Sequence, residues 1–152
     1  PIETAMFGNH TEIVELLLSK GADIPTLHST LFSKDEVKAK DLIAAGADVN
    51  ERTPYGTSPL HMAVLVGLAD ITVLLLENGA NINAKDNWDW TPLHSAAYHS
   101  RHMVSVLVTK GADVHAKDGA KRTPLSYAEE KGYSEAVEIL TKATEAQAKT
   151  EK

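Results

Sequence analysis

Runs of closely spaced apolar residues recur along the chain, several of them closed by a glycine and set apart by polar stretches. In "ITVLLLENGAN" (71–81) the apolar positions are dense enough for a helix, and Gly79 supplies the left-handed backbone that ends it. In "TPLHSAAYHS" (91–100) Thr91 caps a helix whose first position is Pro92, where no N–H is needed. Small Ala96 and Ala97 let a neighbouring helix approach. The pattern predicts helix pairs followed by a connector. Neither helix of a pair can bury its apolar face alone, so the pairs must stack. "KDEVKAKD" (34–41) alternates charge sign and reads as a helix surface. Towards the end, "EILTKATEAQAKTEK" turns polar, with Thr141 and Thr144 where a leucine and a glycine are expected. It predicts a terminal cap whose helix extends into the Ala, Glu and Lys tail.

The same strings return at fixed spacing. "KGAD" stands at 20–23 and 110–113, "AGAD" at 45–48 and "NGAN" at 78–81; "SPLH" (58–61), "TPLH" (91–94) and "TPLS" (123–126) open the helix pairs. From opening leucine to closing glycine is 19 residues for Leu27 to Gly46 and Leu60 to Gly79, and 18 for Leu93 to Gly111. From glycine to the next leucine is 14 for Gly46 to Leu60, Gly79 to Leu93 and Gly111 to Leu125. This period of about 33 residues and its two end motifs resemble the ankyrin repeat.

The resemblance covers essentially the whole chain as a single domain of five repeats, near 1–24, 25–57, 58–90, 91–122 and a C-terminal cap at 123–152. It implies an all-α solenoid of stacked helix-turn-helix pairs with short β-hairpin fingers at about 49–58, 82–91 and 114–123. Two departures stand out. Gly21 to Leu27 is only 6 residues, so the second repeat should lack a finger and leave a notch in the concave wall. The fourth repeat is one residue short near Ser100, where the inter-helix glycine would be. The chain opens inside a repeat, on Pro1 without Met, which predicts an upstream segment.

In the ankyrin family, fingers and first helices line a concave surface that usually holds a partner. Carried across, one exposed finger position reads Thr57, Trp90 and Arg122, and another, two residues earlier, Tyr55, Trp88 and Ala120. Trp88 and Trp90 are two apart, so in an extended finger strand they would point to one side. An exposed first-helix position reads Phe7, Phe32, Leu65, Tyr98 and Glu130. Six of the chain's eight aromatics (Phe7, Phe32, Tyr55, Trp88, Trp90, Tyr98) thus fall at expected surface positions. Tyrosine and tryptophan are enriched at interface hot spots. The expected partner-binding residues are Tyr55, Leu65, Trp88, Trp90, Tyr98 and Arg122, in a stripe centred on Trp88, Trp90, Tyr98 and Leu65. The competing reading has one tryptophan folded back as a staple over the next finger, and Phe7 or Phe32 packed inward. Asp89 stands where the family prefers glycine, and aspartate tolerates a left-handed backbone.

Composition removes other classes. Hydrophobic residues make up 43% and charged residues 24%, as in a soluble globular chain. A net charge of -6 offers no footprint for nucleic acid, and the absence of cysteine excludes disulfides and thiolate sites. The longest apolar run, "LVGLADITVLLL", is broken by Gly67 and Asp70 and is too short for a membrane span. His28, His61 and His94 are the tetrapeptide histidines, which the resemblance casts as pins between repeats. His94, His99 and His102 cluster, but without a third ligand of sensible spacing no metal or cofactor is expected. The acids of "AEEKGYSEAVE" read as a solvated face, and "KDGAKR" (117–122) as a basic finger tip that could meet an acidic partner. No phosphate loop or nucleophile elbow occurs.

The expected function is a non-enzymatic module that binds another protein, monomeric, or self-associating through the stripe. The alternatives are a structural spacer or intramolecular regulatory domain of a longer protein, and, third, an enzyme using His94, His99 and His102. No feature fixes a compartment; the cytoplasm is the default expectation.

Overall fold

The computed structural model describes residues 26–150, with side chains from 27 to 146. Phe7, the first repeat and the expected notch lie outside those residues. Among the described residues eight α-helices follow one another in pairs. They are α1 (Thr26–Phe32) with α2 (Glu36–Ala44), α3 (Pro59–Val66) with α4 (Ala69–Glu77), α5 (Pro92–His99) with α6 (Arg101–Thr109), and α7 (Pro124–Lys131) with α8 (Ser134–Thr150). The first helices α1, α3, α5 and α7 stack in order, while α2 lies beside α4 and α6 beside α8. This is the all-α solenoid that the ankyrin resemblance implies.

Helix boundaries follow from the quoted motifs. Ser58, Thr91 and Thr123 cap α3, α5 and α7 from an extended backbone, and proline fills the position after each. Gly67 and Gly132 end α3 and α7 at φ +79° and +67°, where a side chain would be strained. The shortened repeat solves the same problem differently. Ser100 sits at φ −140° as the whole link between α5 and α6, and its hydroxyl donates to the Leu65 carbonyl at 3.2 Å.

Stacking buries two adjoining clusters. Leu27, Leu31, Ile43, Leu60, Ile71 and Leu75 centre the first; Leu93, Met103, Val104, Leu107 and Leu140 centre the second. Phe32, expected on the surface, is only 9% exposed and belongs to the first cluster. Leu65 is half-buried and packs against that cluster too. Both positions lie on a first helix whose neighbour covers more of it than alignment alone suggests.

A ladder of histidines ties the repeats across this core. The Nε2 nitrogens of His28, His61 and His94 lie 2.9, 3.0 and 3.1 Å from the carbonyls of Thr57, Trp90 and Arg122. A carbonyl only accepts, so Nε2 carries the proton and Nδ1 is an acceptor. Nδ1 of His61 takes the Ser58 N–H and hydroxyl, and Nδ1 of His94 those of Thr91. Nδ1 of His28 has no partner among the described residues; three positions earlier in sequence stands Pro25, with neither N–H nor hydroxyl. Burial, opposed by the Thr57 and Trp90 carbonyls respectively, lowers the His28 and His61 pKa values to about 4.

The fingers are tight turns, and none carries a paired strand among the described residues. One backbone bond closes each: Thr53 N–H to Thr57 O at 3.0 Å, Asp86 to Trp90 at 2.9 Å, and Asp118 to Arg122 at 3.0 Å. Their tips, Gly56, Asp89 and Lys121, all have left-handed backbone, at φ +78°, +62° and +65°. Adjacent fingers are linked by Asn87 N–H to Tyr55 O at 3.0 Å and Gly119 N–H to Trp88 O at 2.9 Å. Arg52 donates to the Lys85 carbonyl, and Lys85 Nζ to that of Lys117 at 3.4 Å.

Candidate protein-binding cleft

The second and third described fingers enclose, with α5 and α7, an open cleft of about 860 Å³. Its walls are built by two aspartates that fold the fingers. Asp86 Oδ1 accepts the N–H groups of Trp88 and Trp90 at 2.8 and 2.9 Å. Asp118 Oδ1 does the same for Ala120 and Arg122, both at 2.9 Å. A carboxylate that accepts two amides fixes the turn firmly, since such charge-assisted bonds are the stronger kind.

The left-handed Asp89 breaks the extended path between the tryptophans, so the expected same-side arrangement does not form. Trp88 turns back onto the preceding finger. It stacks on Tyr55 with ring centroids 6.0 Å apart and planes 8° from parallel, and stays 52% exposed. Trp90 turns forward, half-buried, and its Nε1–H donates to Asp118 Oδ2 at 3.2 Å. Its ring lies 4.9 Å from Tyr127 and 5.7 Å from Tyr98. Trp90 therefore braces the next repeat as well as lining the cleft, whereas Trp88 is chiefly surface.

Of the six expected partner-binding residues, Trp88, Trp90, Tyr98 and Arg122 line one cleft. Tyr55 supports Trp88 from behind, and Leu65 packs on the first core cluster, apart from the stripe. Sequence reasoning missed Tyr127 and Asp118. Tyr127 occupies the position that holds Met62 and Ser95 in earlier repeats, and that change of size was the available signal. Its hydroxyl donates to Asp118 Oδ2 at 2.6 Å.

The electrostatics follow from these bonds. Burial pushes the Asp118 carboxyl up, but the bonds from Tyr127, Arg122 and Ala120 outweigh it and hold the pKa below the usual range. Asp86 goes the other way, because its burial exceeds the help of its two amides. Burial, aided by the charge of Lys131, lowers the His99 pKa. Arg122 lies over Tyr127 with its guanidinium carbon 4.0 Å from the ring centroid and pairs with Glu130. His94 is buried in the ladder, His99 lines the cleft and His102 is exposed on α6. Among the described residues no three histidines or carboxylates gather as metal ligands.

A stack of helix pairs pinned by histidines defines a repeat solenoid. A family profile of ankyrin repeats in three copies matches residues 27–118 and 90–151, and a single-repeat profile matches 1–29. The chain belongs to the ankyrin-repeat family, whose members are generally protein–protein interaction modules and generally not enzymes in their repeats.

Among curated relatives, the chain is 36% identical over 118 residues to ankyrin repeat and SOCS box protein 11 of Danio rerio, covering 72% of this chain and 40% of that one. It is 37% identical over 92 residues to Rabankyrin-5 of Homo sapiens, covering 53% of this chain and 8% of that one. It is 33% identical over 96 residues to the E3 ubiquitin-protein ligase KEG of Arabidopsis thaliana, covering 57% and 6% respectively. The chain thus spans less than half the length of each of these relatives. Among the described residues no helix is long and apolar enough to cross a membrane.

Proposed function

We propose that the chain is a non-enzymatic module that recognises a segment of another protein in the cleft between the fingers at 86–90 and 118–122. The observation that carries this reading is the convergence of Trp88, Trp90, Tyr98 and Tyr127 on one open cleft. Rings of this kind bury large area at small cost in conformational entropy, and fingers pinned by Asp86 and Asp118 are already ordered before docking. Arg122 supplies a polar edge, and Tyr55 acts through Trp88 rather than by contact.

The test is affinity capture from the cells that express the protein, with wild type and Trp88→Ala as baits. Trp88 is the suitable choice because its ring is largely exposed, so the variant should match wild type in urea midpoint. A partner held by wild type and lost from the variant supports the reading. The same partner held equally by both removes it. A second reading, a spacer or intramolecular cover, draws on the relatives' much greater length. It expects the cleft to be filled by another part of the same polypeptide and capture to fail with the whole protein.

A further inference from the structure

The cleft is acidic as well as aromatic. Asp86, Asp89, Asp118 and Glu130 line it against a single guanidinium, that of Arg122. Even with Lys85 on Asp89 and Lys131 over Tyr98 at its rim, its four carboxylates leave it with an excess of acid. An aliphatic side chain entering such a place would gain contact with the rings but strip water from carboxylates without replacing it. A cation would satisfy both. We propose that the cleft seats a basic side chain of the partner segment, an arginine, its guanidinium against an indole face of Trp88 or Trp90 and beside Asp89 or Glu130. The proposal rests on the reading of the cleft as a protein-binding site and names the chemistry of its occupant.

The chain already displays the arrangement in miniature. Arg122 lies over the Tyr127 ring while pairing with Glu130, and Lys131 Nζ stands 3.6 Å from the Tyr98 centroid. Both of these cations sit on tyrosines. Indole faces attract cations more strongly, and among the described residues no cation of the chain lies over either tryptophan. The four carboxylates also divide in a telling way. Asp86 and Asp118 are buried and committed to finger amides. Asp89 and Glu130 are exposed, and among the described residues their ion pairs are with Lys85 at 3.3 Å and with Arg122. Exposed pairs of this sort are worth little, so an incoming cation exchanges with them at small cost. Arginine fits better than lysine because its flat guanidinium stacks on a ring and grips a carboxylate with two N–H groups at once. The overall charge of -6 draws a basic segment in from a distance.

The test compares n-butylguanidinium with n-butylurea, which share a shape and differ in charge. Each is titrated into the full 152-residue chain at constant ionic strength. The indole N–H resonances of the two tryptophans, assigned with Trp88→Phe, report binding. The guanidinium should saturate the shift with a dissociation constant about fivefold lower than the urea. In the double variant Asp89→Asn, Glu130→Gln the ratio should fall to about twofold, the share left to the indole faces, while the affinity for the urea stays unchanged; both positions are exposed, and urea melts confirm that the variant is folded. Equal saturation by the two probes overturns the arginine assignment and leaves the cleft as an apolar binding site. No saturable shift with the guanidinium also overturns the assignment, while the capture experiment with Trp88→Ala decides separately whether the cleft binds protein.

Discussion

The finger at 53–57 and the finger at 86–90 are closed by the same backbone bond, at 3.0 and 2.9 Å, and turn through a left-handed residue at the same place. Each ends on a carbonyl that receives a histidine from the preceding repeat, Thr57 from His28 and Trp90 from His61. Their surfaces differ entirely. Where the first has half-buried Tyr55 and buried Gly56 and Thr57, the second has exposed Trp88 and Asp89 and half-buried Trp90. At the base, the Thr53 hydroxyl accepts one amide, whereas the Asp86 carboxylate accepts two. The shared parts are those that set the repeat geometry, and the variable parts face the cleft. Trp88 and Asp89 can therefore change without disturbing the stack, whereas Trp90 also braces the next repeat.

The largest effect should come from what the two fingers have in common. Unfolded, His28 and His61 titrate near 6.5; folded, near 4. Between those values the unfolded chain binds more protons, so the stability present above pH 6.5 is lost as pH falls towards 4. The slope should reach ~1.4 kcal/mol per pH unit for each histidine, measured as urea midpoint against pH. A pH-independent midpoint across this window would remove the neutral-histidine account of the ladder.

Converting one finger into the other gives the next effect. Trp90→Thr, which copies Thr57, deletes a half-buried ring and its bond to Asp118, and should cost about 2–3 kcal/mol in urea denaturation. A loss under ~0.5 kcal/mol would make Trp90 a surface residue like Trp88. The smallest effect has the opposite sign. Asp89→Gly copies Gly56 and relieves a positive φ, so thermal or urea melts should show a gain of ~0.5–1 kcal/mol. The exposed pair to Lys85 that it removes offsets little of this.

The helix starts, histidine pins and extended last helix were legible in the sequence because each follows from local chemistry at fixed spacing. Pro92 after Thr91 marks a helix start wherever it falls. Side-chain direction at the fingers was not legible. The two-residue alternation of Trp88 and Trp90 holds only for extended backbone, and one left-handed aspartate between them reverses it. Asp89 in place of the family's glycine is the visible signal of that left-handed turn. Phe32 and Leu65 show a related limit: position in a repeat says which way a residue faces, and the neighbouring repeat decides whether anything covers it. Asp118 and Tyr127 meet Trp90 from 28 and 37 residues further along the chain, a pairing that exists only once two repeats are stacked.

At the place of the tetrapeptide histidine, the last helix pair carries Ser126. Its hydroxyl turns back to the Thr123 carbonyl at 2.7 Å, and the Thr123 N–H returns a bond of 3.1 Å. The ladder is thus polarised: every histidine hands a proton donor forward, and Ser126 hands on nothing. An engineer could splice a duplicate of the 58–90 unit into the interior, where each rung has both giver and receiver. A further unit spliced in after residue 123 would need Ser126→His first, because the serine hydroxyl is spent on its own finger.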